Sequence, residues 1–305
     1  MRIGIVGLDS THALEFTRQL NAPTAPAAWR RARVVAACAG APTDFPLSVT
    51  RRDGIVSRIR EELGVRILPN ATALVESVDG VMILSCDGRC HLIEVLPLLS
   101  AGKPLFVDKP LTASLSDAAL LLDAAREARC PVFSASALRF RCESSGVTRL
   151  TRARPRQIEV TVPDDASPGH PDFAWHGIHG VEIIFAALGS GCDTVQRGWL
   201  DDHDAVRATW PDGTCALIKR SAERAAREFP AKLTYEDGRV DELAGFRYEP
   251  LLAAMVNFFE DRQSPVSPAE MLEVLAFIDA ADWSRDSDGQ PIHLSTVLKE
   301  TAGDL

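Results

Sequence analysis

The feature that most constrains this chain is a series of short, wholly apolar segments alternating with helical patterns across its first 135 residues. Arg2-Ile3-Gly4-Ile5-Val6-Gly7 comes first, then a helical stretch from about Thr11 to Leu20, and then Val34 to Ala39, closed by Gly40-Ala41-Pro42. Ile55, Ile59 and Leu63 recur every fourth residue and predict a helix over 54–63. Thr72–Ser77 is a short helix candidate, Val81–Ser85 a strand, Leu92–Ser100 a helix stopped by Gly102, and Pro104–Val107 a strand. Ser116–Ala128 reads as a helix and Pro131–Ala135 as a strand. Strands without polar alternation must be covered on both faces, which requires parallel strands joined by helical crossovers. Right-handed crossovers then give a doubly wound sheet of the Rossmann type.

After residue 140 the period changes. Ile158, Val160 and Val162 alternate with polar neighbours, as in a strand with one solvated face. Val206–Trp210 and Thr214–Ile218 flank Pro211-Asp212-Gly213, a hairpin signal, and Leu233-Thr234-Tyr235 before Glu236-Asp237-Gly238 suggests another. Residues 250–283 read as two helices split by Ser264-Pro265-Val266-Ser267-Pro268. The expected fold class is therefore α/β: a Rossmann domain over residues 1–138, then an α+β domain with a mostly antiparallel open sheet over 139–305, with a C-terminal helix packing back on the first domain.

A chain of 305 residues with 46% hydrophobic composition can bury two cores. A net charge of -9 disfavours phosphate backbones, and the short cluster Arg51, Arg52, Arg58 and Arg60 reads as a solvated helix face, so no nucleic-acid partner is expected. No apolar run is long enough to span a bilayer, so no membrane association is expected either. The N-terminus enters a strand pattern directly, without the basic and apolar segments of a secretion signal. Seven cysteines (Cys38, Cys86, Cys90, Cys130, Cys142, Cys192, Cys215) are odd in number and mostly in apolar surroundings. They read as reduced thiols, and the expected location is cytoplasmic.

The first strand leads into Gly7-Leu8-Asp9-Ser10-Thr11-His12. A dinucleotide fingerprint here is G-x-G-x-x-G. Gly7 fits the first glycine, Asp9 stands at the second and His12 at the third. Asp9 adds a side chain and a negative charge where a pyrophosphate approaches the backbone, whereas helix N-terminal N–H groups, Ser10 and Thr11 favour an anion. Asp9 or Ser10 acting simply as a helix cap is the other reading. The second strand ends at Cys38-Ala39-Gly40, without the acidic residue that binds an adenosine ribose, which leaves room for a 2′-phosphate beside Arg51 or Arg52.

Gly102-Lys103-Pro104-Leu105-Phe106-Val107-Asp108-Lys109-Pro110-Leu111 places an acid, a lysine and a proline at a strand end, where open α/β sheets hold ligands. Here the sequence resembles the glucose–fructose oxidoreductase and inositol dehydrogenase (Gfo/Idh/MocA) family, as a divergent member. Ser85-Cys86-Asp87-Gly88-Arg89-Cys90-His91, Ser136–Phe140 and the Pro265–Glu270 segment extend the resemblance nearly end to end. The resemblance implies NAD or NADP as cofactor, with Gly7, Leu8, Asp9, Ser10, Thr11, His12, Gly40, Ser85, Cys86, Asp87, His91, Asp108, Lys109, Pro110 and Arg139 as its contacts. Lys109 would orient the reacting hydroxyl and tune its proton. Relatives also imply a homodimer or homotetramer assembled through the exposed face of the second sheet.

The second marked segment is Asp172-Phe173-Ala174-Trp175-His176-Gly177-Ile178-His179-Gly180-Val181-Glu182. The family carries Asp-x-x-x-His at the start of a helix. By resemblance His179 is the acid/base histidine, and Trp175 replaces the aspartate, a loss for which Asp172 or His176 is the expected compensation. Lys109, Asp172, Trp175, His176 and His179 are the expected substrate contacts, with Lys109 and His179 catalytic and converging on one carbohydrate-like substrate. A rival reading makes His176, His179 and Glu182 a metal trio on one helix face; acid/base chemistry is preferred and no metal is expected. Asp164, Asp165 and His203 read as loop residues, and Trp199, Trp210, Trp283, Phe258 and Phe259 as core or interface. The expected function is NAD(P)-dependent hydride transfer at a CH–OH group of a sugar or polyol. Two alternatives stand beside it: a non-catalytic ligand-binding relative, and a redox-neutral nicotinamide-dependent lyase or hydrolase.

Overall fold

The computed structural model describes residues 1–141, 154–167, 169–200, 202–222, 228–245 and 247–303. The chain forms two compact units. The first comprises Met1–Ala113, Asp117–Ala135 and Leu251–Val266; the second comprises Ser114–Ser116, Ser136–Pro250 and Ser267–Leu305.

The first unit is built on six parallel strands: β1 (Arg2–Val6), β2 (Arg33–Cys38), β3 (Arg66–Ile67), β4 (Gly80–Ile83), β5 (Leu105–Val107) and β6 (Val132–Ser134). Their order is β3-β2-β1-β4-β5-β6, the doubly wound Rossmann arrangement. The strands are linked by α1 (Thr11–Asn21), α2 (Pro46–Glu61), α3 (Ala71–Glu76), α4 (His91–Val95) and α5 (Leu115–Glu127). Ile3, Ile5, Val81, Met82, Ile83, Leu105, Phe106 and Val107 are fully buried, as unalternating strands covered on both faces require. Two helices differ from the sequence reading. α2 begins at Pro46, eight residues before the periodic stretch, because a proline at the first helical turn loses no hydrogen bond there. The segment expected as one helix over 92–100 is α4 followed by a 3-10 turn over Leu96–Ala101, where Pro97 lacks the N–H that would continue the α-ladder; Gly102, at φ +61°, ends it.

The second unit carries a seven-stranded sheet. Its strands are β7 (Gln157–Pro163), β8 (Thr194–Leu200), β9 (His203–Thr209), β10 (Cys215–Ser221), β11 (Ala231–Thr234), β12 (Val240–Leu243) and β13 (Ile292–His293). Their order is β12-β11-β7-β10-β9-β8-β13, antiparallel throughout except for the β7–β10 pair. Both expected hairpins form, β9–β10 and β11–β12. Strand β8 was not legible, since Thr194–Leu200 mixes glycine, arginine and tryptophan without clean alternation. Helix α6 (Gly177–Leu188) lies on β7 and β10. Gly180 permits that approach: a Cβ there would stand 2.9 Å from Val162 Cγ1 and 3.2 Å from Ile218 Cγ2.

Helix α7 (Glu249–Asp261) follows β12, and its Leu251–Asp261 portion belongs to the first unit, where Phe258 meets Phe133 edge-on at 5.5 Å and Phe259 packs against Gly80. The chain then continues in the second unit as α8 (Pro268–Asp286), β13 and α9 (Leu294–Gly303). Trp210 is buried, as expected of a core residue, but Trp199 is 81% exposed on β8 and belongs to no core. Cys38, Cys86, Cys90, Cys130, Cys192 and Cys215 are free thiols; Cys142 lies outside the described residues.

Candidate active site

The sheet order of the first unit reverses between β1 and β4, and the residues following these two strands meet there. Gly7, at φ +91°, leaves no room for a side chain: a Cβ would lie 2.3 Å from both the backbone nitrogen and Oγ of Ser85. Gly7→Ala should cost more than about 2 kcal/mol, combining left-handed backbone strain with a clash against main chain. Denaturant unfolding of the variant beside the wild type checks this. Leu8 is fully buried, and Asp9 is 0% exposed. Asp9 Oδ1 accepts from Cys86 N at 2.8 Å, while Oδ2 has no hydrogen-bond partner and lies 3.6 Å from Arg52 Nη2. The carboxylate at the second-glycine position is thus turned inward, with a cation close by. Ser10 is the N-cap of α1 but makes no capping bond, and its buried Oγ has no partner. Thr11 is exposed. A helix N-terminus beside an unpartnered buried hydroxyl fits an anionic pyrophosphate, so the residues present suit a dinucleotide.

Beyond β4, a buried polar cluster fixes the neighbouring loops. Glu94 Oε1 accepts from Ala41 N and from Ser85 Oγ, both at 2.7 Å, beside Gly40 at the end of β2. Burial raises the Glu94 carboxyl above its ordinary pKa. His91 is fully buried, with Nε2 2.9 Å from the Ser85 carbonyl and Nδ1 2.9 and 3.2 Å from the carbonyls of Pro110 and Leu111. Asp87, also buried, caps the turn at Gly88–Cys90, accepting from Arg89 N at 3.0 Å, and bonds Thr43 and the Arg89 guanidinium. Of the expected cofactor contacts, His91 and Asp87 are therefore inward staples whose polar atoms face protein groups. Cys86 is half-buried, and burial, with Asp9 adding to it, pushes its thiol up to about 12, far from the reactive thiolate.

At the end of β5, Asp108 Oδ1 accepts from Lys109 N at 2.9 Å and Oδ2 is 2.5 Å from His12 Nδ1. Burial would raise the Asp108 pKa, but His12 and then Lys109 outweigh it and hold the carboxyl below its usual range. The His12 ring stacks on Phe16 at 5.0 Å. The residues at the third-glycine position and in the Asp-Lys-Pro motif, 96 apart in sequence, thus form one unit. Nothing local in the sequence signals that pairing. Lys109 is half-exposed and precedes Pro110 through a cis peptide bond.

In the second unit, His176 is the N-cap of α6 and His179 lies three residues on, so both rings share one face, 5.8 Å apart. His176 Nδ1 lies 2.7 and 2.6 Å from the two Asp165 oxygens, and His179 Nδ1 is 2.6 Å from Ser136 Oγ. Trp175 meets the His170 and His176 rings, and Phe229 meets His179 edge-on at 4.8 Å. Asp165, read from sequence as a loop residue, is thus the partner of His176.

Two of the expected contact residues lie in ion-pair networks of the second unit. Arg139, expected at the cofactor, is buried, with Nη1 2.6 Å from Glu182 Oε2 and Nη2 paired to Glu270. Glu182 also accepts from Ser136 N, which commits its carboxylate elsewhere than a metal; among the described residues no group of three or more His, Cys, Asp or Glu could hold a metal ion. Asp172, expected at the substrate, accepts from Arg197, Arg220 and Arg285 at 2.5, 3.0 and 3.0 Å. The same network includes Asp204 and Asp282, and charge neutralisation of three clustered guanidinium groups accounts for the position. On α8, burial and then Asp282 raise Asp279 to about 6. A raised carboxyl stabilises the fold in its protonated form, an effect complete below the unfolded value near 4 and lost as pH rises through 6. Asp279→Asn should therefore stabilise the protein at pH 7 by on the order of 1–3 kcal/mol and do little at pH 4, as thermal melts at the two pH values would read.

A six-stranded parallel sheet in Rossmann order, with a glycine turn and an anion-ready helix terminus at its switch point, defines a dinucleotide-binding class of domain. Residues 1–136 match the family model described as "Oxidoreductase family, NAD-binding Rossmann fold" (GFO_IDH_MocA). Solved structures resemble the whole chain. A probable dehydrogenase from Thermotoga maritima has a TM-score of 0.69 at 19% identity, covering 97% of this chain and 100% of its own. A putative myo-inositol dehydrogenase from Sinorhizobium meliloti 1021 has a TM-score of 0.71 at 16% identity, covering 96% and 99%. The myo-inositol dehydrogenase from Lactobacillus casei, in complex with NAD(H) and myo-inositol, has a TM-score of 0.68 at 15% identity, covering 96% of each. At these identities the likeness is one of fold. No curated protein sequence matches the chain. No helix among the described residues is long and apolar enough to cross a membrane.

Proposed function

We propose that this protein is an NAD(P)-dependent oxidoreductase that oxidises or reduces a CH–OH group of a sugar, polyol or related derivative. The observation that carries the reading is Lys109 at the end of β5, held beside the Asp108–His12 pair within the stretch that matches the family. The bound inositol and cofactor of the Lactobacillus casei structure support the substrate class and the nicotinamide. Gly7, Ser10 and Thr11 would hold the pyrophosphate, and Gly40, Ser85 and Cys86 lie at the adjoining strand ends. The nicotinamide supplies the two-electron chemistry when bound. Lys109 orients the reacting oxygen and tunes its proton. Asp9 argues for this reading over a ligand-binding relative without cofactor, since its carboxylate is turned away from the turn surface. Calorimetric titration of the purified protein with NAD(H) and NADP(H) tests the proposal: micromolar binding of either supports it, and no binding of both removes it.

The same reading makes the protein a cytoplasmic homodimer or homotetramer. The outer face of the second sheet, with Leu217 and Lys219 half-buried among polar neighbours and Trp199 exposed on β8, is the proposed contact. Light scattering at micromolar concentration should give a multiple of the 33.1 kDa chain; a monomer mass would refute this.

A further inference from the structure

Arg51 and Arg52, expected together on a solvated helix face, differ in the structure. The Arg52 side chain is only 24% exposed and reaches back from the second turn of α2 to two other segments of the first unit. Its Nη2 donates to the Ala41 carbonyl at 2.8 Å, just past the end of β2, and lies 3.6 Å from Asp9 Oδ2, in the turn after β1. Asp9 is anchored in turn by the N–H of Cys86, after β4. The guanidinium thus stands between the β1 turn and the end of β2. Its donors are not used up there: Nε is buried without a partner, and Nη1 makes no hydrogen bond among the described residues. Arg51 is exposed and forms no ion pair among the described residues. Burial and then Asp9 raise the Cys86 thiol to about 12, while Arg51 acts the other way, so its charge lies within electrostatic reach of the end of β4.

In a doubly wound dinucleotide domain the adenosine ribose lies beside the end of the second strand. An acid there accepts from the 2′-hydroxyl, whereas an arginine nearby accommodates a 2′-phosphate. Here that strand runs out in Cys38-Ala39-Gly40, which offers no carboxylate to accept from the hydroxyl. Asp9 does not take over that role, since it is 0% exposed and its charge is answered by Arg52. A guanidinium with spare donors, fixed by a buried carboxylate, suits an oxyanion with several acceptor oxygens. We propose that the site is built for NADP(H), with Arg52 taking the 2′-phosphate and Asp9 acting as the positioning residue that holds its guanidinium. The inference rests on the oxidoreductase reading and names its cofactor. It also gives the carboxylate at the second-glycine position a purpose, because its charge serves an arginine and is kept away from the ligand.

Calorimetric titration of the full chain with NADP+, NAD+, 2′,5′-ADP and 5′-AMP tests this without turnover. NADP+ should bind at least about tenfold more tightly than NAD+, and 2′,5′-ADP should exceed 5′-AMP by a similar factor. The preference should shrink as ionic strength rises, because the guanidinium is partly exposed. Arg52→Gln should weaken NADP+ by about tenfold or more and change NAD+ by less than about threefold. Ala39→Asp, at a half-buried position outside the Asp9–Arg52 pair, gives a second route that leaves the buried carboxylate its cation. It restores the strand-end acid and should turn the preference toward NAD+. A wild type that binds NAD+ as tightly as NADP+, or a preference unmoved in both variants, overturns the inference and leaves the dehydrogenase reading intact. No binding of either dinucleotide by the wild type removes that reading and the inference with it.

Discussion

Arg139→Ala should destabilise the protein by about 3–5 kcal/mol, the cost of leaving buried carboxylates without their counter-charge. Arg139 is 7% exposed and joins Glu182, on α6, to Glu270, on α8. Both acids are themselves buried, so water cannot replace the guanidinium. Removing the arginine leaves two like charges facing each other in a low-dielectric site. Thermal unfolding and denaturant titration should both show the loss. The cause can be separated from simple cavity formation. Arg139→Met combined with Glu182→Gln and Glu270→Gln removes the charges together and should recover more than half of the stability lost in Arg139→Ala. A triple variant no more stable than the single one would show that the ion pairs themselves are not the source.

Lys109→Ala should leave the fold intact and lower kcat by about 10²–10⁴-fold, the range for removing a group that manages a proton in the transition state. The side chain is half-exposed, so truncating it opens no core cavity. Its backbone N–H still donates to Asp108, so the β5 terminus keeps its hydrogen bonds. Lys109→Arg should not restore activity, because a guanidinium stays protonated and places its charge over a broad fork where an ammonium is compact. Turnover on a panel of polyols and sugars, with circular dichroism to confirm folding, measures this. Wild-type kcat in Lys109→Ala would take the lysine out of the chemistry.

These variants separate two kinds of polar residue that look alike in sequence. Arg139, Asp172 and Lys109 are each charged and each flank a recognisable motif. Arg139 and Asp172 have their charge answered by protein groups, Glu182 and Glu270 for one and three arginines for the other. Lys109 sits at the carboxyl end of a parallel strand, where a doubly wound sheet leaves its ligand crevice. Position in the strand order, rather than residue type, marks Lys109 as the candidate among the three.

Sequence alone determined the first sheet, because buried parallel strands need unbroken apolar runs and such runs are visible residue by residue. It also marked Gly7 and the Asp108-Lys109-Pro110 turn, since a strand end followed by special backbone residues is a local signal. The hairpins of the second sheet were equally local, written in Pro211-Asp212-Gly213 and Glu236-Asp237-Gly238. What tertiary structure alone decided is which charges meet. His12 finds Asp108 across 96 residues, His176 finds Asp165 across 11, and Arg139 finds Glu182 across 43. Helix Glu249–Asp261 likewise sends Leu251–Val266 back to the first unit although it lies more than a hundred residues past it. A hydrogen bond or ion pair depends on two groups arriving within about 3 Å, and that distance is set by the packing of whole elements, on which neighbouring residues in the chain carry no information.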